Sequence, residues 1–134
     1  MNTQQNVEMI KKVFDAFGRG DIPAVLNAMA DDVVHFEPLA GPPPFQGTCS
    51  GRDEVASFFQ KMAEAVEVKQ FVANEFVAQD DSVVVLGHYQ FRVKATGKTY
   101  ESEWAMVWRC KNGKVAGWRT YKDSAAEAAA FQKP

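Results

Sequence analysis

Apolar residues recur at helical spacing twice near the start of the chain. Val7, Ile10, Val13, Phe14 and Phe17 fall three or four apart, Thr3 stands where a cap belongs, and Gly18-Arg19-Gly20 ends the run, which predicts one amphipathic helix. Asp21 then takes a cap position and Pro23 falls in the first turn, where its missing N–H costs nothing. Ile22, Val25, Leu26 and Met29 form the stripe of a short second helix. The period changes to two in Asp31–Gly41. Side chains two apart in a strand share a face, so Val33, His35 and Glu37 lie on one side and Val34 and Phe36 on the other. This first strand has one apolar face and one that mixes an acid, a base and a methyl surface.

Residues 41–51 hold three consecutive prolines and several glycines, which forbid a ladder and permit sharp turns, so the segment reads as a loop with the composition of a lid. Ser50 with Asp53 makes a capping box for a third helix whose apolar face is Val55, Phe58, Phe59, Met62 and Val66. From about Val68 the texture becomes β-branched and aromatic. Turn signals at Gln79–Ser82, Ala95–Lys98 and Lys111–Lys114 divide it into four antiparallel strands, the last running Val115 to Asp123. The alanine-rich tail Ser124–Phe131 predicts a short terminal helix. Helices first and a meander afterwards argue for an α+β fold, three helices covering one face of a strongly curved, mostly antiparallel sheet, in a single domain over residues 1–134.

Composition narrows the function. A chain of 134 residues with 46% hydrophobic and 12% aromatic content builds its own core. Fifteen Lys and Arg against seventeen Asp and Glu, with no basic run, offer nothing to a phosphate backbone, so nucleic acid is set aside as a partner. The longest apolar stretch, Val83–Gly87, is far short of a membrane span, and Met1–Gln5 lacks the regions of a signal peptide; the expectation is a cytoplasmic protein with no membrane association. Cys49 and Cys110 have no CxxC or CxH spacing and are expected to be free thiols. No His, Cys and carboxylate cluster has metal-ligand spacing, so neither metal nor cofactor is expected.

The order of elements resembles a known family. Helix, Ala16-Phe17-Gly18-Arg19-Gly20-Asp21, short helix, Asp31-Asp32-Val33, strand, Pro/Gly loop, Gly51-Arg52-Asp53-Glu54-Val55, Phe58-Phe59, then a meander ending Trp118-Arg119-Thr120-Tyr121-Lys122-Asp123 is similar to the SnoaL-like branch of the ketosteroid-isomerase and nuclear-transport-factor-like superfamily. The resemblance spans nearly the whole chain. It implies a cone-shaped α+β half-barrel, a homodimer, and an apolar cavity between sheet and helices. Its members include isomerases, cyclases, hydrolases, dehydratases and plain binding modules, so fold alone fixes no chemistry. Glu37-Pro38 occupies the position of the isomerases' general-base aspartate. Their oxyanion-hole tyrosine and protonated aspartate fall at Val13 and near Ala105, where neither group is present. Losing one oxyanion donor typically costs on the order of a hundredfold, which argues against a true ketosteroid isomerase.

The residues leave some alternatives open. Glu37 is either a base tuned by burial and the neighbouring imidazole or a solvated carboxylate at the cavity mouth. His35 is either an acid–base group or an amphipathic wall. In the last strand Arg119, Tyr121 and Asp123 alternate with Trp118, Thr120 and Lys122, and one residue of register error exchanges the whole set. Asp123 matches the end of the family's Arg-x-Tyr-x-Asp pattern, implied to be acid–base, and equally suits a cap for the following helix. His88 reads as structural; Glu101 and Glu103 read as surface groups or, in the register the resemblance implies, as a carboxylate pair with Glu103 near the pocket, while Trp104, Trp108 and Trp118 read as core or subunit-interface aromatics. The favoured function is a cofactor-independent lyase or isomerase moving a proton on an apolar cyclic compound, with Glu37 as base assisted by His35, Tyr121 or Asp123. Its pocket is lined by Val13, Phe14, Phe17, Phe58, Met62, Tyr89, Phe91, Trp104 and Trp118. The alternative is a dimeric binding protein for a hydrophobic small molecule, favoured by the missing oxyanion donors.

Overall fold

The structure is a computed structural model and describes residues 2–133. The first helix, α1 (Thr3–Gly18), is capped one residue earlier than Thr3. The Asn2 side chain accepts from the Gln5 N–H at 2.8 Å and Gln5 Oε1 accepts from the Asn2 N–H at 3.0 Å, a reciprocal capping box. The second, α2 (Ile22–Asn27), is capped by Asp21 as its sequence predicts. It stops short of Met29, which instead begins β1 (Met29–Glu37).

The predicted proline-rich loop is shorter than residues 41–51, because its end folds into a four-residue strand, β2 (Gly47–Ser50), that pairs antiparallel with β1 and sets Cys49 opposite His35. The expected Ser50–Asp53 capping box is absent. Gly51 takes the cap position of α3 (Arg52–Ala65) at φ 85°, a conformation open to glycine, and Glu54 reaches back to the Ser50 N–H at 2.8 Å. Val66 leaves the helix to open the long strand β3 (Val66–Gln79), followed by β4 (Ser82–Val93), β5 (Thr99–Lys111), β6 (Lys114–Lys122) and the terminal helix α4 (Ser124–Phe131).

The six strands form one curved, unclosed sheet in the order β2-β1-β6-β5-β4-β3. The meander is antiparallel throughout, and its last strand lies parallel to β1. Strand alternation sorts the faces: Val83, Val85, Tyr89, Phe91 and Val93 of β4 are buried, while Leu86, His88, Gln90 and Arg92 turn outward. Gly87 belongs to the inner set with no room for a side chain, since a Cβ there would lie 2.0 Å from the Val72 carbonyl oxygen and 2.4 Å from the Trp104 ring. Helix α1 packs on β3 and β4, α3 on β1 and β2, and α4 on β5, giving the cone of the α+β expectation. Among the described residues no helix is long and apolar enough to cross a membrane.

Candidate functional site

Between helices and sheet lies a cavity of about 70 Å³. Its walls come from Val13, Phe14 and Phe17 of α1, Phe45 of the proline loop, Phe58, Phe59 and Met62 of α3, and Phe71, Tyr89, Phe91, Met106, Trp108 and Trp118 of the sheet. All the expected lining residues meet there except Trp104, which is buried in the layer behind and stacks on Phe14 with ring centroids 5.7 Å apart. The volume is well below the ~150 Å³ of an engineered apolar cavity that takes up benzene. A ring-sized ligand therefore requires outward movement of the half-buried Phe14, Phe17, Phe59, Phe71 or Met106.

The polar groups gather at one end. His35 and Glu37 project inward from β1, 1% and 8% exposed, with His35 Nε2 3.1 Å from Glu37 Oε2. The imidazole stacks on Trp118 at 4.1 Å and meets the edge of Phe58 at 4.5 Å. Glu37 Oε1 accepts from Lys122 Nζ at 2.7 Å. Burial pushes the Glu37 carboxyl upward, but the His35 hydrogen bond and the Lys122 charge outweigh it and hold the group below its ordinary range. Glu37 is thus ionised at neutral pH and can only accept. A neutral His35 then carries its hydrogen on Nε2 and donates it to Glu37, which leaves Nδ1 a bare lone pair. That Nδ1 is buried and has no partner. Each oxygen of Glu37 thus has one polar partner, whereas Nδ1 of His35 has none.

Lys122 is the residue that sequence reasoning missed. Its ammonium, 2% exposed, donates to Glu37 and to Glu127 Oε2 at 3.0 Å and lies 4.2 Å from the centre of the Phe45 ring. Glu127, fully buried on α4, also accepts from the Tyr100 hydroxyl at 2.8 Å and weakly from the Tyr89 hydroxyl at 3.5 Å. Burial raises the Glu127 carboxyl above its ordinary range despite Lys122 and Tyr100. Both tyrosines are pushed up, first by burial and then by the Glu127 charge. A signal for Glu127 existed, a lone carboxylate in an alanine run four residues before Phe131.

Two expected assistants lie elsewhere. Tyr121 points outward and is 51% exposed; Asp123 is exposed, and its Oδ1 accepts from the Ala126 N–H at 3.0 Å as the cap of α4. The cause is a bulge. Arg109 pairs with Gly117 while Cys110 pairs with Val115, so Ala116 is an extra residue, and beyond it the inward set is Trp118, Thr120 and Lys122. Glu101 and Glu103 are exposed on the outer face of β5. Among the described residues no three His, Cys, Asp or Glu side chains are grouped to hold a metal ion.

Comparison with known proteins places this architecture. An uncharacterized protein of Mycobacterium tuberculosis is 26% identical over 115 residues, 86% of each chain. The crystal structure of an NTF2-like protein from Burkholderia xenovorans LB400 superposes with a TM-score of 0.89 at 38% identity, covering 98% of this chain and 99% of the other. TerC co-crystallized with polyporic acid superposes with a TM-score of 0.81 at 25% identity, covering 91% and 94% of the two chains. The SnoaL-like domain model matches residues 10–118, a span running from the α1 wall of the cavity to the Trp118 that stacks on His35, and the chain belongs to that family within the NTF2-like superfamily.

Proposed function

We propose that the protein is a cofactor-independent enzyme, of lyase or isomerase type, that moves a proton on an apolar cyclic molecule bound in the cavity, with His35 as the acid–base group and Glu37 as its orienting carboxylate. The observation that carries this reading is the unpartnered, buried Nδ1 of a cavity-lining His35 whose Nε2 is tied to an ionised Glu37. An imidazole with one nitrogen fixed by a carboxylate and the other free is built to accept a proton and return it. The family membership and the TerC complex with polyporic acid support, in general terms, isomerase- or cyclase-type chemistry or small-molecule binding. The apolar aromatic walls favour a ring with little charge. The protein acts as a homodimer in the cytoplasm. A half-exposed apolar strip on the outer sheet face, including Leu86 and Tyr121, suits subunit contact.

The second reading, a dimeric binding protein for a hydrophobic small molecule, is favoured by one observation: the carboxylate at the isomerase-base position is held in a buried ion pair with Lys122 and a hydrogen bond with His35. A thermal-shift screen of cyclic ketones, lactones and aromatic acids, with mass and isomer analysis after incubation, separates the two. Wild type is expected to convert its hits, while His35→Ala and Glu37→Gln bind them but lose turnover by roughly a hundredfold or more. Hits that bind all three proteins alike and emerge unchanged defeat the catalytic reading.

A further inference from the structure

The Lys122 ammonium is shared. It lies between two carboxylates, at 2.7 Å from Glu37 and 3.0 Å from Glu127, and the three side chains are no more than 5% exposed. Glu127 is arranged asymmetrically. Its Oε2 receives Lys122, Tyr100 and Tyr89, while its Oε1 is buried without a partner. A carboxyl that served only to fill α4's inner face would gain nothing from this arrangement, because a buried acceptor left unpaired costs stability. That Oε1 packs close to Gly41, where a Cβ would sit 3.3 Å from it and 2.2 Å from the Phe45 carbonyl oxygen.

We propose that Glu127 is a positioning residue of the site: by sharing Lys122 with Glu37 it limits how far the ammonium neutralises Glu37, and so keeps negative charge on the carboxylate that orients His35. The inference rests on the acid–base reading of His35. In a cavity shielded from water an ammonium held by one carboxylate alone would cancel most of that carboxylate's field at the imidazole. A second carboxylate on the far side draws the ammonium back. The titratable groups around His35 and Lys122 are Glu37 on β1, Cys49 opposite His35 on β2, Tyr89 on β4, Tyr100 on β5 and Glu127 on α4; the walls from α1, α3 and the proline loop are apolar. The tyrosines stay neutral, so Lys122 and the two glutamates decide the balance.

The test titrates the His35 imidazole by nitrogen NMR in wild type, Glu127→Gln and Tyr100→Phe, with near-ultraviolet circular dichroism to confirm packing. Glu127→Gln keeps the shape and the acceptor but loses the charge, so Lys122 commits to Glu37 and the imidazolium is less favoured; its protonation midpoint falls below that of wild type. Tyr100→Phe removes a donor from Glu127, Lys122 moves toward Glu127, and the midpoint rises by a smaller amount. A merely structural role would move both variants the same way or neither, and either pattern overturns the proposal. If Glu127→Gln does not fold, Tyr100→Phe decides alone: a raised midpoint supports the proposal and an unmoved or lowered one overturns it. No substrate is involved, so absence of turnover in any screen would defeat the catalytic reading and leave this result standing.

Discussion

The two ends of the cavity are held together by different physics. At the aromatic end Phe14 lies against Phe71, Phe76, Trp104 and Trp108, with ring centroids 5.5–6.1 Å apart and orientations from stacked to edge-on. Such contacts are many, weak and non-directional, so one can be exchanged for another of similar volume. At the polar end each partner is specific: one ammonium, two carboxylates and one imidazole, all buried. Removing one member leaves another charged and alone. Adaptability therefore resides in the rings, while the polar end is a cluster that tolerates little change.

Breaking the charged end should have the largest effect. Lys122→Met leaves two buried carboxylates without a cation and is expected to destabilise the fold by about 3–5 kcal/mol in urea titration at neutral pH. The deficit should shrink on acidification as the orphaned carboxylates take up protons. A cost no greater than that of an ordinary core substitution would erase the contrast between the ends. The two glutamates sharpen it through opposite pH signs. Glu37 is held below its ordinary value of 4.5, so its contribution to stability is complete above that pH and is lost as pH falls through the lower folded value; Glu37→Gln should flatten the acid limb of the stability curve. Glu127 is raised, so its contribution is complete below 4.5 and is lost as pH rises through the higher folded value; Glu127→Gln should gain on wild type as pH increases.

At the aromatic end Phe14→Leu should cost only about 1 kcal/mol while admitting larger ligands, as seen by calorimetric titration with a homologous ring series. Asp123→Ala removes the α4 cap at a comparable cost of about 1 kcal/mol. If Asp123 is only a cap, turnover per folded molecule and its pH profile are unchanged; a lost limb in that profile would return Asp123 to the chemistry. Tyr121→Phe, on the outer face, should alter stability by less than about 0.5 kcal/mol.

Much of the fold was legible because it depends on local periodicity. The α1 stripe, the Asp21 cap, the turns of the meander and the inward trio Val33, His35 and Glu37 all follow from spacing along one element. Strand β2 was not legible, since four residues after three prolines acquire strand character only from their pairing with β1. For the candidate site, the β1 half was visible and the β6 half was not. The bulge at Ala116 inverts the parity that sequence alone must assume, which hid Lys122 and promoted Tyr121. Glu127 was obscured for another reason: charged residues on a terminal helix ordinarily face water, and only its packing against Tyr100 and Lys122 makes it internal.

The parallel pairing of β1 with β6 also has a kinetic consequence. Glu37 and Lys122 are separated by 85 positions, so closing the contact requires one of the longest loops the chain can form. During synthesis the first strand exists long before its cation does. Without β6, burying an ionised Glu37 would leave it with no cation partner, at a large desolvation cost. The polar end of the cavity is thus tied to one long-range closure, and its ion pair can form only once β6 lies beside β1.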